Sequence, residues 1–154
     1  MAKPQEKFDV CGLTAADDPW PDCKGIMYIA GPMSNLSRTH LLKLEWDTSW
    51  IQGWLLRYGW ASYNPYSSGH CADNFNISQP YWIRHAFKVL QRCDALLLTP
   101  GWEKSDGSNK ELGYATLLGK PVYDWTWTVY DDDNHRYDGV MRRWETLKEQ
   151  KEKK

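Results

Sequence analysis

The chain has 154 residues, 42 % hydrophobic and 25 % charged, with a formal net charge of -1. That is the size and composition of one folded domain, which excludes extensive disorder. The near-zero charge argues against a general electrostatic grip on DNA or RNA, and no apolar run approaches the ~20 residues of a membrane span.

In chain order, residues 1–25 have few apolar positions and read as an irregular arm. The first nine residues lack the apolar stretch of a secretory signal, so a cytoplasmic protein is expected. On that expectation the N-x-S sequons at Asn35 and Asn76 carry no meaning. Gly25–Gly31 is a short apolar run with a sharp Gly-Pro end, the pattern of a buried strand. A cap-rich link leads to a long helical pattern over Arg38–Tyr58. Leu42, Trp46, Trp50 and Trp54 recur at intervals of four, and Leu41, Leu44, Ile51 and Leu55 widen their stripe, as expected for a helix packed on a sheet. Gly59 is its stop signal.

Trp60–Asn64 predicts a second strand, ended by Pro65. Residues 66–79 read as a loop. Pro80–Arg92 predicts a helix with Trp82 or Ile83, Phe87 and Leu90 inward. Asp94–Thr99 predicts a third strand, whose unbroken Leu run suits a sheet covered on both faces. A loop over 100–107, a helix over Ser108–Leu118 and a fourth strand over Pro121–Trp125 follow. Residues 126–154 form an extension expected to be helical with a charged tail; Arg142–Lys154 holds six basic and three acidic residues.

Alternation of strands and helices with short links implies parallel pairing and right-handed crossovers. The expected fold is α/β: a flavodoxin- or Rossmann-like, doubly wound parallel sheet of four to five strands in three layers. Ligands of such sheets bind beyond the carboxyl ends of the strands. Three irregular segments gather there: Gly31–Ser37 (with Gly31, Pro32, Met33 and Ser34 at its start), the stretch from Asn64 to Asn76, and Pro100–Glu111.

The last of these is the richest in chemistry. Asp106-Gly107 is a turn signal, and Ser108-Asn109-Lys110-Glu111 fits the capping box S-x-x-E. Glu111 therefore has two readings: it closes its own helix start, or it faces a ligand. Free N–H groups at that helix start also suit an anion such as phosphate. The four cysteines, Cys11, Cys23, Cys71 and Cys93, show no metal-ligand spacing, so no metal and no cofactor are expected. Most of the 10 tryptophans belong to core; Trp102 or Tyr66 could instead stack on a flat ring.

Three stretches together resemble the nucleoside 2-deoxyribosyltransferase superfamily, which includes the 2'-deoxynucleoside 5'-phosphate N-hydrolases. They are Tyr28-Ile29-Ala30-Gly31-Pro32-Met33, Tyr63-Asn64-Pro65, and Cys93-Asp94-Ala95 through Pro100-Gly101-Trp102-Glu103-Lys104-Ser105, Gly107 and Glu111. The resemblance covers residues 26–125. It implies that Glu111 attacks the anomeric carbon of a nucleoside or nucleotide, that Tyr28 orients it, and that Ser105 and Gly107 contact a 5'-phosphate. It also implies a homodimer or larger homo-oligomer, for which the Trp-rich helix could serve as an interface.

One position departs from the family pattern. An aspartate usual in the helix before the third strand is here Ala86, beside His85. Either His85 or the loop residue Asp73 replaces it as general acid, or the chemistry is lost. A cleaved N-glycosidic bond is thus the leading expectation. A non-catalytic nucleotide-binding module and an interaction protein using Trp surface and basic tail are the alternatives.

Overall fold

A computed structural model describes residues 10–33, 36–68 and 77–145 of the chain. Five strands form one sheet: β1 (Ile26–Ala30), β2 (Ala61–Tyr63), β3 (Ala95–Leu98), β4 (Val122–Asp131) and β5 (Arg136–Arg143), in the order β2-β1-β3-β4-β5. The first four run parallel, and β5 pairs antiparallel with β4. The helices are α1 (Arg38–Arg57), α2 (Gln79–Arg92) and α3 (Asp106–Leu117), with 3-10 turns at Pro65–Ser68 and Trp102–Lys104. The expected three-layer α/β architecture is what forms, with a mixed rather than wholly parallel sheet.

Because side chains alternate across a strand, β1 feeds both layers. Met27 and Ile29 join Ile51 and Leu55 of α1, with Ala95, Leu97 and Trp125. Tyr28 and Ala30 join Leu90 of α2 and Ala115 of α3, with Leu96, Leu98 and Val122. All four residues of β3 are buried, as its unbroken apolar run requires of a central strand covered on both faces.

The inner face of α1 is displaced from the stripe that its apolar spacing suggests. The buried residues are Thr48, Ile51 and Leu55, whereas Leu42 and Trp46 stand about half exposed, at 49 % and 48 %. Trp50 and Trp54 are intermediate because they meet the last strand: Trp50 packs against Tyr137, and Trp54 Nε1 donates to Tyr137 O at 2.8 Å. Ser37 caps the helix by accepting from His40 N, and Gly59, at φ +92°, ends it.

The expectation of a helical extension after residue 125 is wrong over the described part. β4 continues to Asp131, turns, and returns as β5. Trp125-Thr126-Trp127-Thr128-Val129 alternates bulky and β-branched residues, a strand pattern. The Asp131 carboxylate accepts from the backbone N–H of Asp133 and Asn134, a local turn that helical propensity does not outweigh. Gly139 lets β5 pass close to Trp125: a Cβ there would stand 2.3 Å from the Trp125 ring and force a shift. Residues 146–154, the rest of the charged tail, lie outside the described residues. The arm over 10–25 is turns and bends, as expected. No helix among the described residues is long and apolar enough to cross a membrane.

Candidate functional site

The sheet places its chemistry at the carboxyl ends of β1, β2 and β3. β1 is followed by Gly31, where a Cβ would lie 2.3 Å from Thr99 Oγ1 and 2.7 Å from Tyr66 Oη. Only glycine admits that approach without a shift of the neighbours. Thr99, just past β3, binds Ala30 O through both its N–H, at 2.9 Å, and its hydroxyl, at 3.0 Å. Tyr66 donates to Pro32 O at 2.7 Å. The loop after β1 is therefore pinned from two sides. Tyr66 is 3 % exposed and committed to that loop, so it is not free to stack on a ligand's base as its sequence position allowed.

Helix α3 starts earlier than its sequence signals suggest. Ser105, not Ser108, is the N-cap, and its hydroxyl accepts from Ser108 N at 3.2 Å. Asn109 reaches back to the carbonyls of Glu103, at 3.0 Å, and Ser105, at 2.8 Å, fastening the preceding turn. Glu111 therefore sits in the second turn and is not needed for capping, which removes the capping-box reading. A Cβ built on Gly107 would be 4.0 Å from both Ser105 Oγ and Glu111 Oε1. Ser105, Gly107 and Glu111, singled out by the motif, are thus neighbours in space.

Glu111 is only 8 % exposed, and its Oε2 has no hydrogen-bond partner among the described residues. Burial pushes its carboxyl up to about 7; the Tyr28 hydroxyl, acting as a donor, pulls the other way. Ser108, one turn earlier and fully buried, also has no partner for its Oγ among the described residues. Two such oxygens on one helix face are costly in an apolar core. Tyr28 is 1 % exposed. Burial and then the Glu111 charge hold its hydroxyl protonated, well above the usual phenol range. Its ring stacks on Tyr63, with centroids 5.4 Å apart.

A family model for a domain of unknown function, DUF4406, matches residues 26–124. The chain belongs to that family. No curated protein matches it. The DUF4406 match holds β1 through the start of β4, and so every strand end that builds the site; the β4–β5 hairpin lies mostly beyond it.

Within the DUF4406 region, other sequence candidates fall differently. His85 is on the exposed side of α2, with Nε2 3.3 Å from Tyr63 Oη, so it joins the site through Tyr63. Asn64 is buried, but its amide serves the fold: Oδ1 accepts from Tyr66 N and Nδ2 donates to Gln52 Oε1. It shapes the turn after β2. Trp102 is half-buried and packs against the core on the α2 and α3 side, at right angles to Trp144 with centroids 6.2 Å apart. Pro32 is half-buried against Gly101, and Met33 is half-buried beside it. Ser34 and Asp73 lie outside the described residues. Ala86 packs into the core, so no carboxylate occupies that position.

A groove of about 570 Å³ between α2 and α3 is lined by Ile83, Phe87, Tyr114 and Leu117, with Arg84 and Lys110 at its walls. Glu111 is not part of it; the groove flanks a different face of α3. Among the described residues, no group of three or more His, Cys, Asp or Glu is placed to hold a metal ion. The capping pattern hides Ser108 as a site residue; the competing serine three residues earlier, at Ser105, is the signal that frees it. Tyr63 is hidden too, because its role depends on pairing between strands distant in sequence.

Proposed function

We propose that the protein cleaves the N-glycosidic bond of a nucleoside or nucleoside 5'-monophosphate, with Glu111 as nucleophile. The observation that carries this reading is the buried Glu111 carboxylate with an unpartnered oxygen, set beside the Tyr28 hydroxyl at the sheet's carboxyl edge. The motif resemblance to the nucleoside 2-deoxyribosyltransferase superfamily supplies the reaction type.

In the proposed reaction, a Glu111 oxygen bonds to C1' as the C1'–N bond breaks. The bonding pair leaves on the base nitrogen, and a general acid, His85 in this reading, donates the proton. Water or a second base then attacks C1', and the ester C–O bond breaks to return the carboxylate. An anionic oxygen facing C1' suits the oxocarbenium-like transition state. Desolvation keeps the carboxylate poorly stabilised and so makes charge pairing with that cation more favourable. Tyr28 donates to one oxygen and leaves the other available. Ser105 and Gly107, close to Glu111, favour a phosphorylated substrate: one offers a hydroxyl and the other backbone access at a helix start.

Ala86 favours a second reading, a ligand-binding module that has lost catalysis. Both are tested by incubating the protein with a mixed pool of nucleosides and nucleoside monophosphates and separating the products. Released free base, absent in Glu111→Gln, supports cleavage. Thermal stabilisation by a nucleotide with no base released supports the binding module.

A further inference from the structure

Tyr63 touches both halves of the proposed machinery without belonging to either. It ends β2, and the parallel register sets its Cα opposite Tyr28 of β1. Its ring lies 5.4 Å from the Tyr28 ring at an interplanar angle of 29°. Its hydroxyl lies 3.3 Å from His85 Nε2, and the His85 ring is edge-on to Trp82 at 6.0 Å. The Tyr28 hydroxyl in turn hydrogen-bonds the Glu111 carboxylate.

We propose that Tyr63 is a positioning residue that registers the His85 imidazole against the Tyr28–Glu111 pair; this rests on the glycosidic reading above. The physical case is one of restricted freedom. An exposed histidine on a helix exchanges rotamers and cannot by itself present one nitrogen to a substrate. A phenol hydroxyl on one nitrogen and an indole edge against the ring limit it to one orientation and favour one tautomer. Because β1 and β2 share a sheet, the Tyr63 ring carries that orientation to Tyr28 through a rigid frame rather than a loop.

Tyr63→Phe separates the hydroxyl from the stack, since Phe keeps the ring over Tyr28. The expected result is a kcat for base release reduced about tenfold, the scale of one neutral hydrogen bond, with KM unchanged. In the same variant the nitrogen-15 NMR signals of the His85 ring move toward those of a free imidazole exchanging tautomers. Tyr63→Leu, which also loses the stack, should fall further in kcat and soften the packing at Tyr28.

A Tyr63→Phe protein with wild-type kcat and unchanged His85 ring signals overturns the proposal, even if Glu111→Gln is inactive and the glycosidic reading stands. A wild-type protein that releases no base from any nucleoside or nucleotide defeats the glycosidic reading instead. The ring signals then still decide the Tyr63–His85 coupling: a shift in Tyr63→Phe supports it and no shift overturns it.

Discussion

Two corners of the molecule remove a carboxylate from water, and they treat it in opposite ways. At the β4–β5 hairpin, Asp47 of α1 accepts from Tyr130 Oη at 2.9 and 3.1 Å and lies 3.7 Å from Lys43 Nζ. Burial pushes the Asp47 carboxyl up, but the Tyr130 hydrogen bond and the Lys43 charge oppose that rise. Lys43 also pairs with Asp132 at 2.7 Å, and Asp132 accepts from the Tyr137 hydroxyl. At the carboxyl ends of the strands, burial acts on Glu111 against a single phenol donor, and its carboxyl reaches about 7. A carboxylate with partners ties elements together. A carboxylate left short of partners stores reactivity, because any cationic or electrophilic centre brought to it recovers the lost solvation.

The largest test of that contrast is Glu111→Gln. Base release should fall by roughly a thousandfold or more, as for loss of a covalent nucleophile. Stability should move the opposite way. The folded-state value, about 7, lies above the unfolded one, so the folded protein holds a proton that the unfolded chain has released between these values. Wild-type stability should therefore decline as pH rises from about 4.5 through 7, and the Gln variant should lack that decline. The decline in the wild type should amount to roughly 3 kcal/mol once Glu111 is fully ionised, since each tenfold change in a proton affinity is worth about 1.36 kcal/mol. Denaturant melts of both proteins across pH read this directly. The rate of base release should rise through pH about 7 as Glu111 ionises.

Next in size is Gly139→Ala at the hairpin. The new methyl meets the Trp125 ring, and roughly 1–3 kcal/mol of stability should be lost by overpacking. Activity per folded molecule should remain. A loss of catalysis without a loss of stability would mean that the hairpin takes part in the chemistry. Ser108→Ala removes an unpartnered buried hydroxyl, so thermal melts should show no loss, or a gain of up to about 1 kcal/mol. A clear loss would show that the hydroxyl is already satisfied. The smallest effect is expected of Lys43→Met, which breaks a largely solvated pair with Asp132 and a longer, 3.7 Å contact with Asp47. It should cost less than about 1 kcal/mol, fading in high salt, and leave base release unchanged.

Much of this is legible in the chain. The apolar runs at Gly25–Gly31 and Asp94–Thr99 mark the central strands, because a buried strand needs little beyond length and punctuation. Glu111, Ser105, Gly107 and Tyr28 converge as their motif suggests. The inward face of α1 is not legible, because its tryptophans bury against β5, a strand in a segment whose sequence reads as helix. Asn64, Tyr66 and Trp102 illustrate a second blind spot. A polar or aromatic residue near a strand end carries the same signature whether it meets a ligand or closes a loop. Only the structure shows what each meets within the fold: Asn64 meets Gln52, Tyr66 meets Pro32, and Trp102 meets Trp144. Tyr63 stands out in the sequence only as one letter of a motif, because its importance lies in cross-strand register.

The most direct measurement is intact-protein and peptide mass spectrometry of the protein quenched in acid during turnover of the nucleotide that releases base. A sugar or sugar-phosphate adduct on the α3 peptide carrying Glu111, absent from Glu111→Gln, is the expected result. Base release that continues undiminished in Glu111→Gln, with no adduct on that peptide in the wild type, would contradict the assignment of Glu111 as nucleophile.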